Sequence, residues 1–375
     1  MEIHRGEANL ECRHFNGYRP CAPGYVCDGC READPFDRTI LLINLDAMGD
    51  VLMTTCLLPA LRRKHPRALL TWLTLPAHLP LLAGNPLIDR AWGFDLATVT
   101  TLEAMEFDLL LNADKGRPSC ALATRLRAAE KRGFGLDRNG MIRPLHEDSR
   151  ALYRLGLDDD EKFRKNGRTG QELLAEAFGL DYRRDPYVLR KSAEEERFVE
   201  EFRRSIGASA SRPVIGIQTG TSDLYPLKSL TEDQVVALVG RLDARLPGAA
   251  ILLLGGPGEA ERNRSIARRC GGRAIETPVG EGLRRGLLYV DTCDAVVSPD
   301  SGALHIAIAL GKWTVGWFNV SCAQEIDLFD RGVKVTTPLA CSPCWRRACP
   351  DPICRTIVDL DAIVDGVAKG LPAAR

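Results

Sequence analysis

Hydrophobic residues follow two patterns, one strand-like and one helix-like, which alternate from Thr39 onwards. The apolar run in "TILLINL" predicts a buried strand, and apolar residues at helical spacing after it predict a helix that ends near His65. "ALLTWLTL" and "FDLLLNAD" predict two more strands, and "SCALATRLRAAEKR" predicts a helix after the second of them. This alternation is typical of a parallel sheet with helices on both faces.

The alternation restarts at Pro213, after a charged, mostly helical region that contains "DDDEKFRKNGRTGQELLAEAFGL" and "AEEERFVEEFRRSI". Four strand-like runs ("VIGIQTG", "AAILLLGG", "DAVVSP", "TVGWF") alternate with the helix-like "LTEDQVVALVGRLDARL", "PGEAERNRSIARRC" and "GALHIAIAL". We therefore predict an α/β protein with two domains, residues 38–208 and 209–375, joined near residues 205–212. Residues 1–37 are polar, rich in Gly, Pro and Cys and without periodicity, which predicts a small appendage.

Composition excludes several classes of function for this protein. The 375 residues carry 50 basic and 50 acidic side chains, so no overall field favours a nucleic-acid partner. The sequence has no run of the roughly 18 apolar residues that a spanning helix needs, and "MEIHRGEANLECRHF" lacks the order of a signal peptide. We expect a soluble, cytoplasmic protein whose 13 cysteines are reduced thiols or metal ligands.

Eight of the cysteines form two tight groups. The N-terminal group is Cys12, Cys21, Cys27 and Cys30, and the C-terminal group is Cys341, Cys344, Cys349 and Cys354. The first group ends in a C-x2-C knuckle on a segment without a core, which favours a structural Zn or Fe site with tetrahedral geometry. His14 is a substitute ligand there, and free surface thiols are the alternative. For the second group, the alternative to a metal site is a compact loop of partly buried thiols.

Candidate chemistry lies at strand-to-helix turns, because ligands in doubly wound sheets collect at the carboxyl ends of the strands. In the second domain, "SPDSGALHIA" offers free N–H groups for a diphosphate, "GGPGEAE" an acceptor for ribose hydroxyls, and "TGTSDLYPLKSL" a lysine for phosphate. Each turn also has an ordinary interpretation, as a helix cap, a Gly-rich turn or a surface charge. The absence of G-x-x-x-x-G-K-[ST] and G-x-G-x-x-G disfavours P-loop and dinucleotide sites.

The first domain contributes the turn in "LLINLDAMGDVLMTT" and a second strand end in "NADKGRP". Asp46 fits an ordinary turn residue. Asp50 lies in the first turn of its helix, where the helix dipole stabilises a carboxylate. Asp50 is therefore either a helix-start acid or a general base that faces the cleft.

These stretches resemble glycosyltransferase family 9, the ADP-heptose:lipopolysaccharide heptosyltransferases. The resemblance rests on "ILLINLDAMGDVLMTTCLLPALRRKHP", "LLAGNPLIDR", "LLLGGPGEAE" and "CDAVVSPDSGALHIAIALGK", and it extends from about Thr39 to Ala368. It implies a GT-B architecture, in which two Rossmann-like domains face a cleft. The N-terminal domain would hold the acceptor and the C-terminal domain the nucleotide-sugar.

The resemblance also implies roles for individual residues. Asp50 corresponds to the catalytic base, and Met48 and Gly49 to the loop that shapes its surroundings. The implied donor site comprises Lys228 at the phosphates, Thr221 near them, Glu259 at the ribose, and a loop usually written D-T/S-G-x-x-H, here Asp300, Ser301, Gly302 and His305. Members that modify autotransporters bind iron through a cysteine finger, which supports a metal at the C-terminal cysteines.

The implied activity is inverting transfer of heptose from ADP-heptose to a lipopolysaccharide-core or related glycan, without a catalytic metal. One alternative is heptosylation of a protein. Two others are a catalytically silent sugar-nucleotide-binding protein and a redox or iron–sulfur carrier, both disfavoured by the intact set around Asp50 and Lys228. Contact with the inner membrane, if any, would be peripheral. The chain departs from the family at "WFNVSC", where a Gly-Pro-Thr-like turn is usual, and in its Cys-rich first 37 residues.

Overall fold

Two six-stranded sheets form the framework of residues 11–15 and 17–371, the part of the chain that the computed structural model describes. The first sheet has the order β3-β2-β1-β4-β5-β6 and is parallel except between β5 and β6. Its strands are β1 (Arg38–Ile43), β2 (Ala68–Thr74), β3 (Arg90–Gly93), β4 (Glu106–Asn112), β5 (Arg127–Leu136) and β6 (Ile142–Pro144). This parallel sheet agrees with the predicted pattern.

The second sheet has the order β12-β11-β10-β7-β8-β9 and is parallel throughout. Its strands are β7 (Val214–Gln218), β8 (Ala250–Leu254), β9 (Ile275–Glu276), β10 (Ala295–Pro299), β11 (Trp313–Phe318) and β12 (Gly332–Thr336). Two such sheets, each with crossover helices, are consistent with the expected GT-B architecture.

Helices connect the strands on both faces. Those up to the charged region are α1 (Met48–Thr54), α2 (Leu58–Lys64), α3 (Leu79–Leu82), α4 (Leu96–Ala104), α5 (Arg117–Arg125), α6 (Arg150–Arg154) and α7 (Gly170–Ala177). The later ones are α8 (Ala193–Ser205), α9 (Glu232–Arg245), α10 (Ala260–Arg269), α11 (Leu283–Asp291), α12 (Gly302–Ala309) and α13 (Leu360–Gly370). The helix predicted to run to His65 is divided by a 3-10 turn into α1 and α2.

The prediction of a helix over "SCALATRLRAAEKR" is wrong for the second half of this segment. α5 ends at Arg125, and β5 begins at Arg127 and pairs in parallel with β4. Exposed and half-buried side chains alternate at the start of β5, so the charged residues of this segment lie beside solvent. The edge of β4 supplies the backbone partners, and tertiary pairing overrides a local preference for helix.

The hydrophobic core is continuous between the two sheets. One cluster of buried residues includes Leu42 and Leu52 from the first half and Leu252 and Leu304 from the second. Two further clusters lie behind the first and the second sheet. The halves therefore share buried surface in addition to facing each other across a cleft.

Helix α8 precedes the predicted boundary at 208/209 but packs on α11, which belongs to the second half of the chain. The Phe202 ring contacts the Tyr289 ring of α11 with centroids 5.0 Å apart. Arg203 donates to Asp294, and Arg284 of α11 pairs with Glu195. Helix α8 is therefore the first element along the chain that packs on the second half. The exact domain boundary stays a prediction.

The described part of the predicted appendage, residues 11–15 and 17–37, contains turns and a single isolated bridge between Cys12 and Pro35. Arg13 forms an ion pair with Asp34 at 3.1 Å within this segment and one with Asp89, next to β3, at 3.2 Å, so that it attaches the segment to the first sheet. None of the helices in the described ranges is both long and apolar enough to cross a membrane.

Candidate active site

A cavity of 1030 Å³ lies between the carboxyl edges of the two sheets. The segments that line it follow β1, β2, β7, β8, β9 and β10, as the strand-end rule predicts. The predicted residues on its wall are Met48, Gly49, Asp50, Thr221, Lys228, Glu259, Asp300, Ser301, Gly302 and His305. The structure therefore brings together every predicted site residue that is not a cysteine.

Two glycines allow α1 and α12 to pack closely across this cleft. A Cβ at Gly49 would lie 2.6 Å from Cδ2 of His305, and a Cβ at Gly302 would lie 2.7 Å from Cε of Met48. Neither distance is tolerable for a real side chain. The turn that carries Asp50 is consequently held directly against the helix that follows β10.

Asp50 is exposed to the cleft, but the surrounding protein reduces the hydration of its carboxylate. This loss of hydration raises the pKa of Asp50 to about 6; the nearby His305 opposes the shift, and the charges of Asp46 and Asp300 add to it. A carboxylate with this pKa is ionised at neutral pH and is a much stronger base than an ordinary aspartate. It is therefore suited to general base catalysis.

Buried polar groups hold the turn between β1 and α1. The Asp114 carboxylate, from the end of β4, accepts the Leu45 backbone N–H. Burial and the charge of Asp46 raise the pKa of Asp114 well above its usual range. The Asn44 side chain donates to the Asp50 carbonyl at 3.3 Å. The "NADKGRP" segment after β4 thus holds the turn that precedes Asp50, through the hydrogen bond to Asp114.

Lys228 and Asp300 form a buried ion pair on the donor side. The lysine Nζ lies 2.7 Å from Oδ2 of Asp300, and Nε2 of His305 lies 3.8 Å from Oδ1. Burial by itself would raise the pKa of Asp300, but the nearby His305 and the charge of Lys228 hold it well below the usual range. Asp300 therefore stays ionised and fixes Lys228 at the cavity wall.

Tyr187, which sequence reasoning missed, completes this group. Its hydroxyl lies 3.2 Å from Nδ1 of His305, and the Gln171 side chain donates to the same hydroxyl at 3.3 Å. The Tyr187 and His305 rings are stacked, with centroids 6.1 Å apart. Tyr187 comes from an irregular segment between α7 and α8, and no sequence pattern there indicated a site.

Thr221 and Glu259 shape the turns on which they lie. The Thr221 hydroxyl donates to the Tyr225 carbonyl at 3.1 Å and lies 2.9 Å from the Ser229 hydroxyl. The Glu259 carboxylate accepts the Gly256 backbone N–H at 2.7 Å. Both side chains remain on the cavity wall, so each organises a turn whose surface faces the ligand space.

The N-terminus of α12 presents backbone donors to the cavity. Ser301 is the N-cap residue, its hydroxyl lies 3.0 Å from that of Ser298, and Gly302 and Ala303 line the cavity behind it. The first N–H groups of a helix have no partner within the helix, and the helix dipole makes this end positive. Together with Lys228, the helix end can bind an anion.

Sequence reasoning also missed Tyr225 and Trp345, two aromatic residues that line the cavity beside Lys228. Each lies in a polar segment rich in turn residues, where a lone aromatic residue could have indicated a binding site.

A second cavity, of 660 Å³, lies at the amino ends of β7, β10 and β11 and contains none of the predicted site residues.

The metal sites predicted at the two cysteine groups stay predictions. Cys344, Cys349 and Cys354 pack in one small cluster, and burial raises the pKa of Cys354, as do the neighbouring thiols. Even so, no three His, Cys, Asp or Glu side chains within residues 11–15 and 17–371 are arranged to hold a metal ion. In the N-terminal group, Cys12 is buried, Cys21 exposed, and Cys27 and Cys30 half-buried.

Comparison with known proteins finds similar sequences and similar structures. A lipopolysaccharide core heptosyltransferase of Haemophilus influenzae, OpsX, is 21% identical over 293 residues, which are 75% of this chain and 79% of that protein. The solved structure of a family 9 glycosyl transferase from Veillonella parvula matches with a TM-score of 0.64 at 18% identity, covering 80% of this chain and 86% of that one.

The solved structure of the E. coli heptosyltransferase WaaC with ADP matches with a TM-score of 0.53 at 18% identity, covering 77% of this chain and 89% of that one. At such identities the structural matches establish the fold. The sequence model of glycosyltransferase family 9 (heptosyltransferase) matches residues 96–353, which is more than half of the chain. The chain therefore belongs to glycosyltransferase family 9.

Proposed function

We propose that this protein transfers heptose from ADP-heptose to a lipopolysaccharide-core glycan with inversion at the anomeric carbon. The observation that carries the proposal is the meeting of Asp50, the Lys228–Asp300 pair and the N-terminus of α12 around one cavity. The similarity to OpsX and WaaC supports heptose as the sugar and ADP as the nucleotide.

Asp50 is the base of the proposed reaction. An acceptor hydroxyl loses its proton to the Asp50 carboxylate as its oxygen forms a bond to the anomeric carbon. The bond between that carbon and the phosphate oxygen breaks on the opposite face, and ADP leaves with the bonding electrons. The pKa of about 6 keeps Asp50 ionised at neutral pH, so the base is ready before the acceptor arrives.

The leaving diphosphate gains charge as this bond breaks, and cationic or N–H donors stabilise it. Lys228 supplies a cation that Asp300 and His305 hold in place. The first amides of α12 supply donors beside it. Both lie on the α12 side of the cleft, opposite the turn that carries Asp50.

The nucleoside has a matching surface further along the cavity. Leu254, Val279, Leu283 and Leu287 line its apolar part, which suits the adenine base. Glu259, on the neighbouring turn, lies where a carboxylate can accept hydrogen bonds from ribose hydroxyls. This division into an apolar and a polar part is typical of small-molecule sites.

The donor preference tests the proposal. Calorimetry with the purified protein should show tighter binding of ADP than of UDP or GDP, and ADP-heptose should be consumed only when a heptose-accepting core glycan is present. His305→Ala should weaken ADP binding, because it removes a partner of Asp300. Tighter binding of UDP than of ADP, or no transfer to any core glycan, would contradict the proposal.

We expect the reaction to proceed without a metal. The two requirements of the transfer, a base and cationic stabilisation of the leaving group, are provided by Asp50 and Lys228. EDTA treatment should therefore leave the rate of transfer unchanged, whether or not elemental analysis finds structural Zn or Fe at the cysteine groups. Loss of transfer on chelation, with recovery only on adding a metal, would show that the metal-free scheme is wrong.

A further inference from the structure

The C-terminal cysteine group lies on a segment that reaches the donor side of the cavity. We call residues 341–354 the cysteine loop. Trp345, within this loop, lines the cavity and has a left-handed backbone conformation with φ of 51°. Non-glycine residues seldom adopt this conformation, so contacts around the loop must hold the backbone in it.

The cysteine loop is anchored at the segment "WFNVSC", at the end of β11. The Val320 carbonyl, within "WFNVSC", accepts the backbone N–H groups of Cys344 at 3.0 Å and Trp345 at 2.8 Å. The indole N–H of Trp345 donates to Sγ of Cys322 at 3.3 Å. The segment after β11 thus serves as the attachment point of the loop.

Trp345 and Tyr225 enclose the ammonium group of Lys228. The Lys228 Nζ lies 4.3 Å from the centroid of the Trp345 ring and 5.1 Å from that of Tyr225, and the two rings pack edge to face. Asp300 binds the same ammonium group at 2.7 Å. Two aromatic rings and one carboxylate therefore determine where this charge lies, and cation–π attraction is strongest at such a desolvated position.

The orientation of the indole is fixed from the first half of the chain as well. The Nζ of Lys162 lies 5.1 Å from the centroid of the Trp345 ring and 3.9 Å from a carboxylate oxygen of Glu325. Arg164 donates to the carbonyl of Ser342 at 2.7 Å. The segment that contains Lys162 and Arg164 thus packs against the cysteine loop next to Trp345.

We propose that Trp345 is a positioning residue for Lys228. It holds the ammonium group at the cavity wall and limits its hydration, so that the donor diphosphate meets a fixed, poorly hydrated cation. This inference rests on the proposed donor site, and it gives the cysteine loop a role in donor binding through its tryptophan, independent of any metal.

A double-mutant cycle tests this coupling. Trp345→Leu should weaken ADP binding about tenfold in calorimetry, a loss within the range of desolvated cation–π contacts. Trp345→Phe, which keeps an aromatic face, should recover most of that affinity. In a Lys228→Met background, Trp345→Leu should change ADP affinity less than twofold, because the group it positions is absent. Trp92→Leu, on β3 and away from the cavity, is the matched control and should leave ADP affinity unchanged.

The outcomes separate this inference from the proposed function. Equal weakening by Trp345→Leu in both backgrounds would show a merely structural role and overturn the inference, as would wild-type affinity in the Trp345→Leu protein. Failure of the wild-type protein to bind ADP would instead contradict the proposed function, in which ADP-heptose is the donor. Melting temperatures of all variants identify any that lose affinity through unfolding.

Discussion

Asp50→Asn is expected to lower kcat by a factor of about 10² to 10⁴, which is the usual contribution of a general base. The amide keeps the size of the side chain but cannot accept the proton of the acceptor hydroxyl. ADP affinity should stay within about threefold of wild type, because the donor contacts lie on the α12 side of the cleft. Calorimetry and initial-rate assays on the same preparation measure both quantities, and near-normal kcat would return Asp50 to the role of a helix-start acid.

The pH dependence follows from the raised pKa of Asp50. For the wild-type protein, kcat/KM for the acceptor should fall as the pH drops through about 6, because the protonated carboxyl cannot act as a base. Asp46→Asn is a useful control. It removes a neighbouring negative charge that raises the pKa of Asp50, so the midpoint should move to lower pH while the plateau rate is retained. A midpoint that does not move would contradict this electrostatic account.

The same residue reduces stability. Its folded-state pKa lies above the unfolded value of 3.8, so the folded state binds the proton more tightly, and the ionised form destabilises the fold above pH 6. Asp50→Asn should therefore raise the melting temperature at pH 7.5, and this advantage should fade as the pH falls from 6 to 4. A catalytically dead variant that is more stable than the wild type is the expected signature of a functional carboxylate.

Lys228→Met is expected to weaken ADP binding by about 10- to 100-fold. The lysine would form charged hydrogen bonds with the diphosphate, and such bonds contribute about 1.5–3 kcal/mol each. The variant should also be less stable, because the buried carboxylate of Asp300 loses its ion pair with Lys228. Calorimetry with ADP and thermal unfolding measure the two effects separately.

A second substitution distinguishes the two roles of Lys228. Adding Asp300→Asn to Lys228→Met removes the unpaired carboxylate and should recover much of the lost melting temperature, whereas ADP affinity should stay low. The expected loss of stability in Lys228→Met agrees with the depressed pKa of Asp300. A carboxylate with a depressed pKa stabilises the fold at pH values above its unfolded pKa, and this stabilisation is lost as the pH falls. Recovery of ADP binding together with stability would show that Lys228 serves only the ion pair.

The sequence predicted the parts of the site that follow buried strands. The turns after β1 and β10 were recognisable because an apolar run ends in small and acidic residues before a helical pattern begins. Asp50 and the segment from Asp300 to His305 were found in this way. Each follows the carboxyl end of a parallel strand, Asp50 in the first sheet and Asp300 to His305 in the second, and both segments line the same cavity.

The contributions of Tyr187 and Trp345 were not predictable by the same means. Both lie in segments without periodic hydrophobic residues and reach the cavity only through tertiary contacts, with His305 in one case and Lys228 in the other. The start of β5 was missed for a related reason, since its pairing with β4 is a long-range interaction that local propensity does not report.

The packing of α8 on α11 limits where the chain of this enzyme can be cut into separate fragments. A donor-binding fragment cut at residue 209 would lose α8 and expose the ring of Tyr289 that Phe198 and Phe202 cover. It would also leave Arg284 without Glu195. A fragment that begins at Ser192, the N-cap of α8, keeps these contacts and is the sounder starting point for isolating the nucleotide-binding half or exchanging it between relatives.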